Sequence, residues 1–189
     1  LMTYIGELMC QGNTGFSQPY YGRLNWWWLQ TGRTGPFLDA YYTAVSAHAD
    51  RETYSFWEHF YRLSSHKTHE EAGFLMETRW MLYQERGDTL NIFRTIPRSW
   101  LEAGKRIVLK DVRSYFGSVD AVAEGIREGR LEAVVSCAGE RKPRCVAVRL
   151  PHPGNRRPSK VSGGRYVPET ETVVIDDFGG QARVVLEFE

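Results

Sequence analysis

The densest run of chemically capable side chains lies between Asp50 and Glu71, in DRETYSFWEHFYRLSSHKTHEE. It holds four glutamates able to move protons (Glu52, Glu58, Glu70, Glu71), three histidines (His59, His66, His69), and Arg51, Lys67, Tyr54 and Trp57. Cleavage of a glycosidic bond needs two carboxyl groups in unlike environments, one protonated to serve the leaving oxygen and one ionised to activate water or attack carbon. Aromatic faces take the C–H side of a sugar ring, and tryptophan offers the largest face. The segment contains every residue type that such chemistry uses. Upstream, Trp26, Trp27 and Trp28 form a second aromatic cluster. Three adjacent rings cannot all face one way, so at least one is core packing, and Trp27 is taken as a sugar platform.

Plainer roles compete for several of these residues. Thr68-His69-Glu70-Glu71 fits a capping box, in which Glu71 serves the helix start and Glu70 is a first-turn acid favoured by the helix dipole. Trp57 and Glu58 fit a helix face, with Trp57 packed on Tyr61 one turn later. His66 and His69 form an HxxH pair, but no third ligand accompanies them, and no metal or cofactor is expected. The HPG turn at His152–Gly154 reads as structural and Arg156-Arg157 as a solvated loop pair. No phosphate-binding glycine loop, nucleophile elbow or kinase signature occurs.

These residues must be positioned by elements of two different kinds. All six tryptophans and four of the five histidines precede residue 101, after which Val, Arg, Gly and Glu dominate. Helices are expected over Leu1–Cys10, from Pro36 to about His48, from Glu52 to Tyr61 behind an Asp50 cap, and from Thr68 to Tyr83 with Gly87 as the stop. Their expected apolar faces include Phe37, Leu38, Tyr41, Tyr42 and Val45, then Ala72, Leu75, Met76 and Leu82. The Trp26–Trp28 region reads as part of a long, glycine-rich loop. Strands are expected at Leu90–Phe93, Ile107–Leu109, Val119–Ile126, Leu131–Cys137, Cys145–Leu150, Thr172–Ile175 and Arg183–Phe188, with a turn or short helix at Pro97–Leu101. Glu128-Gly129 and Gly163-Gly164 read as hairpin turns.

Bulk composition narrows the classes. With 24 basic and 23 acidic residues the net charge is +1, which lacks the basic footprint of a nucleic-acid binder. Membrane spans need roughly 18 consecutive apolar residues, and no such stretch occurs, so neither nucleic acid nor membrane is an expected partner. Cys10, Cys137 and Cys145 follow no metal or disulfide spacing and read as free buried thiols. No export signal is legible, so the compartment stays open. The opening Leu1-Met2-Thr3 falls in mid-pattern, as in a piece of a longer polypeptide.

The stretch QPYYGRLNWWWLQTGRTGPFLDAYYTAVSAHADRETYSFWEH, followed by HKTHEEAGFLMETRWMLYQERGDTLNIFRTIPRSWLEAGKRIVLKDVRSYFG, resembles the C-terminal part of bacterial six-hairpin glycosidase-like proteins. VRLPHPGNRRPSKVSGGRY is similar to that family's closing strands. The resemblance implies an α+β chain: the last helices of an incomplete (α/α)6 toroid over residues 1–87, then an antiparallel β-sandwich over 88–189. It also implies an active site at the N-terminal ends of the inner helices, with Glu58, His59, His69 and Glu70 near a sugar and Arg51 and Tyr54 bonding its hydroxyls. The expected function is hydrolysis of an oligo- or polysaccharide, with Glu58 the first and Glu70 the second choice of catalytic acid, and with Trp57, His66 and Lys67 binding substrate. The upstream part of the polypeptide is an expected partner and a source of the second carboxylate. A non-catalytic carbohydrate-binding module or a structural domain is the alternative.

Overall fold

The structure, a computed structural model, describes residues 24–58 and 64–189. Cys10, His59, the helix expected over Leu1–Cys10 and the end of the one expected over Glu52–Tyr61 lie outside those residues. The chain divides into two compact units, Leu1–Trp80 and Met81–Glu189. The division lies within the last turn of the last helix, ahead of the expected residue 87.

In the first unit, the described elements are α1 (Leu24–Gln30), α2 (Thr34–His48), the two-residue strands β1 (Ala49–Asp50) and β2 (Ser55–Phe56), and α3, which spans Thr68–Leu82. Helix α1 replaces the expected loop. Its buried residues Leu24, Asn25, Trp28 and Leu29 recur at helical spacing, and Gly32, which had read as loop, is its stop. Gly32 adopts φ 72, its N–H reaches Leu29 O (3.3 Å), and the Arg33 N–H reaches Trp28 O (2.9 Å). That pair of bonds is the Schellman ending.

The expected α2 is present, but it buries Phe37, Ala40, Tyr41, Ala44 and His48, leaving Tyr42 exposed. The helix expected from Glu52 is instead a hairpin over its described residues. Asp50 Oδ1 accepts the Glu52 N–H (3.0 Å), which makes the aspartate a turn former, and Tyr54 closes the turn at φ 55.

Helix α3 has the expected span and an unexpected orientation. The Glu71 N–H, which the capping box reserves for Thr68, goes to Lys67 O (3.1 Å). Phe74 packs on Tyr41 (ring centroids 5.7 Å) and on Phe56 (5.0 Å), and Tyr41 Oη meets Thr78 Oγ1 at 2.8 Å. These contacts fix the helix's rotation. Glu70, Gly73, Glu77 and Met81 are therefore buried, whereas Ala72, Leu75 and Met76, three residues of the expected apolar face, are exposed.

The second unit holds two five-stranded sheets, ordered β10-β11-β8-β4-β3 and β5-β6-β7-β12-β9. Their strands are β3 (Tyr83–Arg86), β4 (Thr89–Ile92), β5 (Arg106–Ser114), β6 (Gly117–Arg127), β7 (Arg130–Ala138), β8 (Cys145–Arg149), β9 (Lys160–Ser162), β10 (Arg165–Val167), β11 (Thr172–Asp176) and β12 (Gln181–Glu187). One 3-10 turn, η1, covers Arg98–Leu101. All pairs are antiparallel except β4–β8, which is parallel.

Alternation decides the buried faces. Ile107, Ala123, Ala133 and Val184 stand in register across one sheet, and Ile92, Val148 and Val173 across the other; all seven are buried. Each sheet therefore has one apolar face turned away from solvent. Cys137 is buried and free, and Cys145 is half-buried and free. Gly87, the expected helix stop, sits instead between β3 and β4 at φ 58. The β6–β7 turn at Glu128-Gly129, with φ 50 and 71, is the expected hairpin.

Gly163-Gly164 is not a hairpin turn, because β9 pairs with β12 and β10 with β11. The two glycines carry the chain from one sheet to the other. A Cβ on Gly163 would lie 2.0 Å from Arg183 O, and one on Gly164 would lie 2.5 Å from Val174 O. Gly163→Ala, at φ 91, is accordingly expected to destabilise this unit by about 2 kcal/mol. Urea denaturation checks it, and an unchanged midpoint would refute the crossing's need for glycine.

The described residues thus form a mixed α+β chain with three helices and largely antiparallel sheets. There is no barrel, and the expected toroid is not seen among them.

Candidate functional site

In the first unit a groove of about 490 Å³ is lined by Trp26, His69, Ala72, Gly73, Met76, Glu77 and Trp80. Its size is that of a small-ligand site. Six of these seven residues come from one face of α3, and α1 supplies Trp26. The Trp26 and Trp80 rings lie 4.6 Å apart at an interplanar angle of 51°. Trp26 is 39% and Met76 44% exposed, so the rim is open and apolar.

Glu77 is the carboxyl of this groove. It is 5% exposed, and the Asn25 amide Nδ2 donates to its Oε2 at 2.6 Å. Burial pushes the Glu77 carboxyl up to about 8, against the downward pull of the Asn25 bond. At neutral pH the group is therefore an acid with a proton to give. A protonated carboxyl beside an aromatic wall is the arrangement of a general acid serving a leaving oxygen.

Of the expected site residues that the structure describes, His69 alone lines this groove. Glu70 lies beside it with no exposed surface, and neither carboxyl oxygen has a hydrogen-bond partner. Its Oε1 is 3.5 Å from His69 Nδ1. Sealed in this way, Glu70 does not reach a ligand in the groove.

Glu58, the first choice, is paired with Lys67 at 2.9 Å, which gives both residues a local partner. The pair is half-buried and does not line the groove. Arg51 and Tyr54 stand exposed on the β1–β2 hairpin, and Trp57 follows it, half-buried. His66 is exposed at φ 56. Trp27 lies under the Arg33 guanidinium, 5.8 Å from its centroid, while its neighbour Trp26 is the ring that reaches the groove. Among the described residues no three His, Cys, Asp or Glu side chains gather as metal ligands, and no helix is long and apolar enough to cross a membrane.

Sequence reasoning missed Glu77, Trp80 and Asn25. One signal was available: Glu70, Gly73 and Glu77 are spaced to share a helix face, two turns from end to end.

The second unit's polar cluster is structural. Arg98 grips Glu171 with both terminal nitrogens (2.6 and 2.8 Å), and Arg149 adds a third bond at 3.0 Å. Arg149 also donates to Ile96 O (2.9 Å). In the expected structural HPG turn, His152 Nδ1 accepts the Gly154 N–H (2.9 Å). Arg156 is less free than a solvated arginine: its Nε lies 3.2 Å from His152 Nε2, and it also bonds Glu189 O.

Comparison with protein-family models, with curated proteins and with solved structures finds no match.

Proposed function

We propose that the groove on α3 binds a carbohydrate and that Glu77 protonates the glycosidic oxygen, making the chain part of a glycoside hydrolase. The observation that carries this reading is a carboxyl raised to about 8 in the wall of an open groove beside a tilted tryptophan pair. Tryptophan supplies the face for a sugar ring, and the acid supplies the proton that an alkoxide leaving group needs. The catalytic acid expected at Glu58 or Glu70 is thus assigned to Glu77, two turns beyond Glu70 on α3. Membership of the six-hairpin toroid class belongs to this proposal, and a helix with carboxyls on its inward face suits it.

A second reading is a binding module without turnover. It is favoured by Glu77 being the sole carboxyl among the described residues that line the groove. One experiment tests both. Neutral oligosaccharides are titrated into the intact protein while tryptophan fluorescence and reducing ends are followed. Saturable quenching is expected, weakened about tenfold in Trp26→Ala, an effect of stacking size. Binding without new reducing ends selects the module, and no sugar-dependent change with any glycan removes both readings.

A further inference from the structure

Hydrolysis by direct attack of water needs a base as well as an acid, and among the described residues the groove holds one further titratable side chain, His69. We infer that His69 is the general base of this site and that the buried Glu70 is its positioning residue; this rests on the reading of the groove as a glycosidase site.

Two separate observations meet here. First, His69 and Glu77 line one groove from one helix, eight residues apart, so their Cα atoms are separated by about 12 Å along the axis. A separation of that order is compatible with a sugar ring and a water between acid and base, as in inverting enzymes, whose carboxyl groups stand roughly 6.5–9.5 Å apart. Second, Glu70 has no exposed surface, and both of its carboxyl oxygens lack a hydrogen-bond partner. A buried polar group left in that state is costly and calls for an explanation. Its Oε1 lies 3.5 Å from His69 Nδ1, too long for a made bond, and catalytic bonds commonly tighten when ligand excludes water. As the third residue of α3, Glu70 also sits in the helix's positive first turn. The pair therefore repeats the logic in which a buried carboxyl group orients an imidazole and fixes its tautomer.

The step balances. Water attacks the anomeric carbon, and its proton passes to His69 Nε2. The C–O bond breaks, its electron pair goes to the departing oxygen, and that oxygen takes the Glu77 proton. Imidazolium and carboxylate remain, and solvent returns the proton from one to the other. Anomeric configuration is inverted.

The test reads the imidazole itself. In the 15N-labelled intact protein, two-dimensional NMR above neutral pH is expected to show His69 protonated on Nδ1, toward Glu70, with Nε2 bare. Glu70→Leu is expected to shift it to the Nε2–H form. Wild-type His69 carrying its proton on Nε2 overturns the inference without any variant, and so does a tautomer unchanged by Glu70→Leu. With a cleaved glycan as probe, His69→Gln is expected to lower kcat at least about a hundredfold with little change in KM. Full turnover in His69→Gln ends the inference while leaving Glu77 in place. Full turnover in Glu77→Gln instead ends the underlying reading and leaves the tautomer result standing.

Discussion

Replacing Glu77 with glutamine is expected to make the protein more stable and less active at once. Burial holds the proton on the folded carboxyl up to about 8, against the ordinary 4.5 of a glutamate. A group raised in the folded state binds more protons there than in the unfolded chain, so its contribution is complete below the lower value and is lost as pH rises toward the upper one. Each unit of that interval is worth about 1.36 kcal/mol, so ~3 kcal/mol has been forfeited by pH 7. Glutamine keeps an acceptor for the Asn25 amide and never ionises. Thermal or urea unfolding followed across pH is expected to show the two proteins converging in mild acid and separating as pH rises. Parallel curves would contradict the raised carboxyl. Turnover is expected to fall at least about a hundredfold, the usual worth of a general acid. A site that only braced the fold would be better served by the amide, and such a stability–activity conflict is characteristic of functional positions.

Glu171→Ala gives the largest expected loss. The carboxylate accepts two bonds from Arg98 and one from Arg149, and the Arg149 side chain is 7% exposed. Removing the acid strands a buried guanidinium, which retains its bond to Ile96 O. Breaking a buried ion pair from one side costs about 3–5 kcal/mol. Glu171 adopts φ 53, and alanine bears the same left-handed backbone, so the change reports on charge. Urea denaturation should show a lower midpoint with an unchanged slope, and a loss below about 1 kcal/mol would demote the cluster to a surface feature.

The strand half was legible because period two is a strong signal. Val146 and Val148 are buried while Ala147 between them is not, and Val119, Ala121 and Ala123 repeat the pattern. Strand β3 escaped because no glycine or proline separates Leu82 from Tyr83, so the helix pattern ran on to Gly87. Strands β9 and β10 were too short and too polar to announce themselves. In the helical half, the spans of α2 and α3 could be read, but the buried face of α3 could not. Periodicity counts apolar residues, and that face carries Glu70, Gly73 and Glu77 instead. Helix α1 was hidden by its own composition: three consecutive tryptophans offer no contrast from which to read a period. The candidate site shared this blindness. Density of polar residues drew attention to residues 50–71, whereas Glu77 lies outside that run, and its burial is what gives it a proton at neutral pH.

The lone parallel pair carries a consequence for how the second unit assembles. Leu90 of β4 faces Val146 of β8, with all of residues 91–145 between them, while β6 and β7 are joined by the two-residue Glu128-Gly129 turn. By loop-closure scaling, the longer connection costs about 3 kcal/mol more chain entropy than the short one. The β5–β6–β7 meander therefore zips early from its own turns, and β4 waits with one edge bare until β8 arrives. Until that late docking, the nascent unit shows its neighbours an unpaired strand, the form in which sheet proteins are most prone to stick to one another.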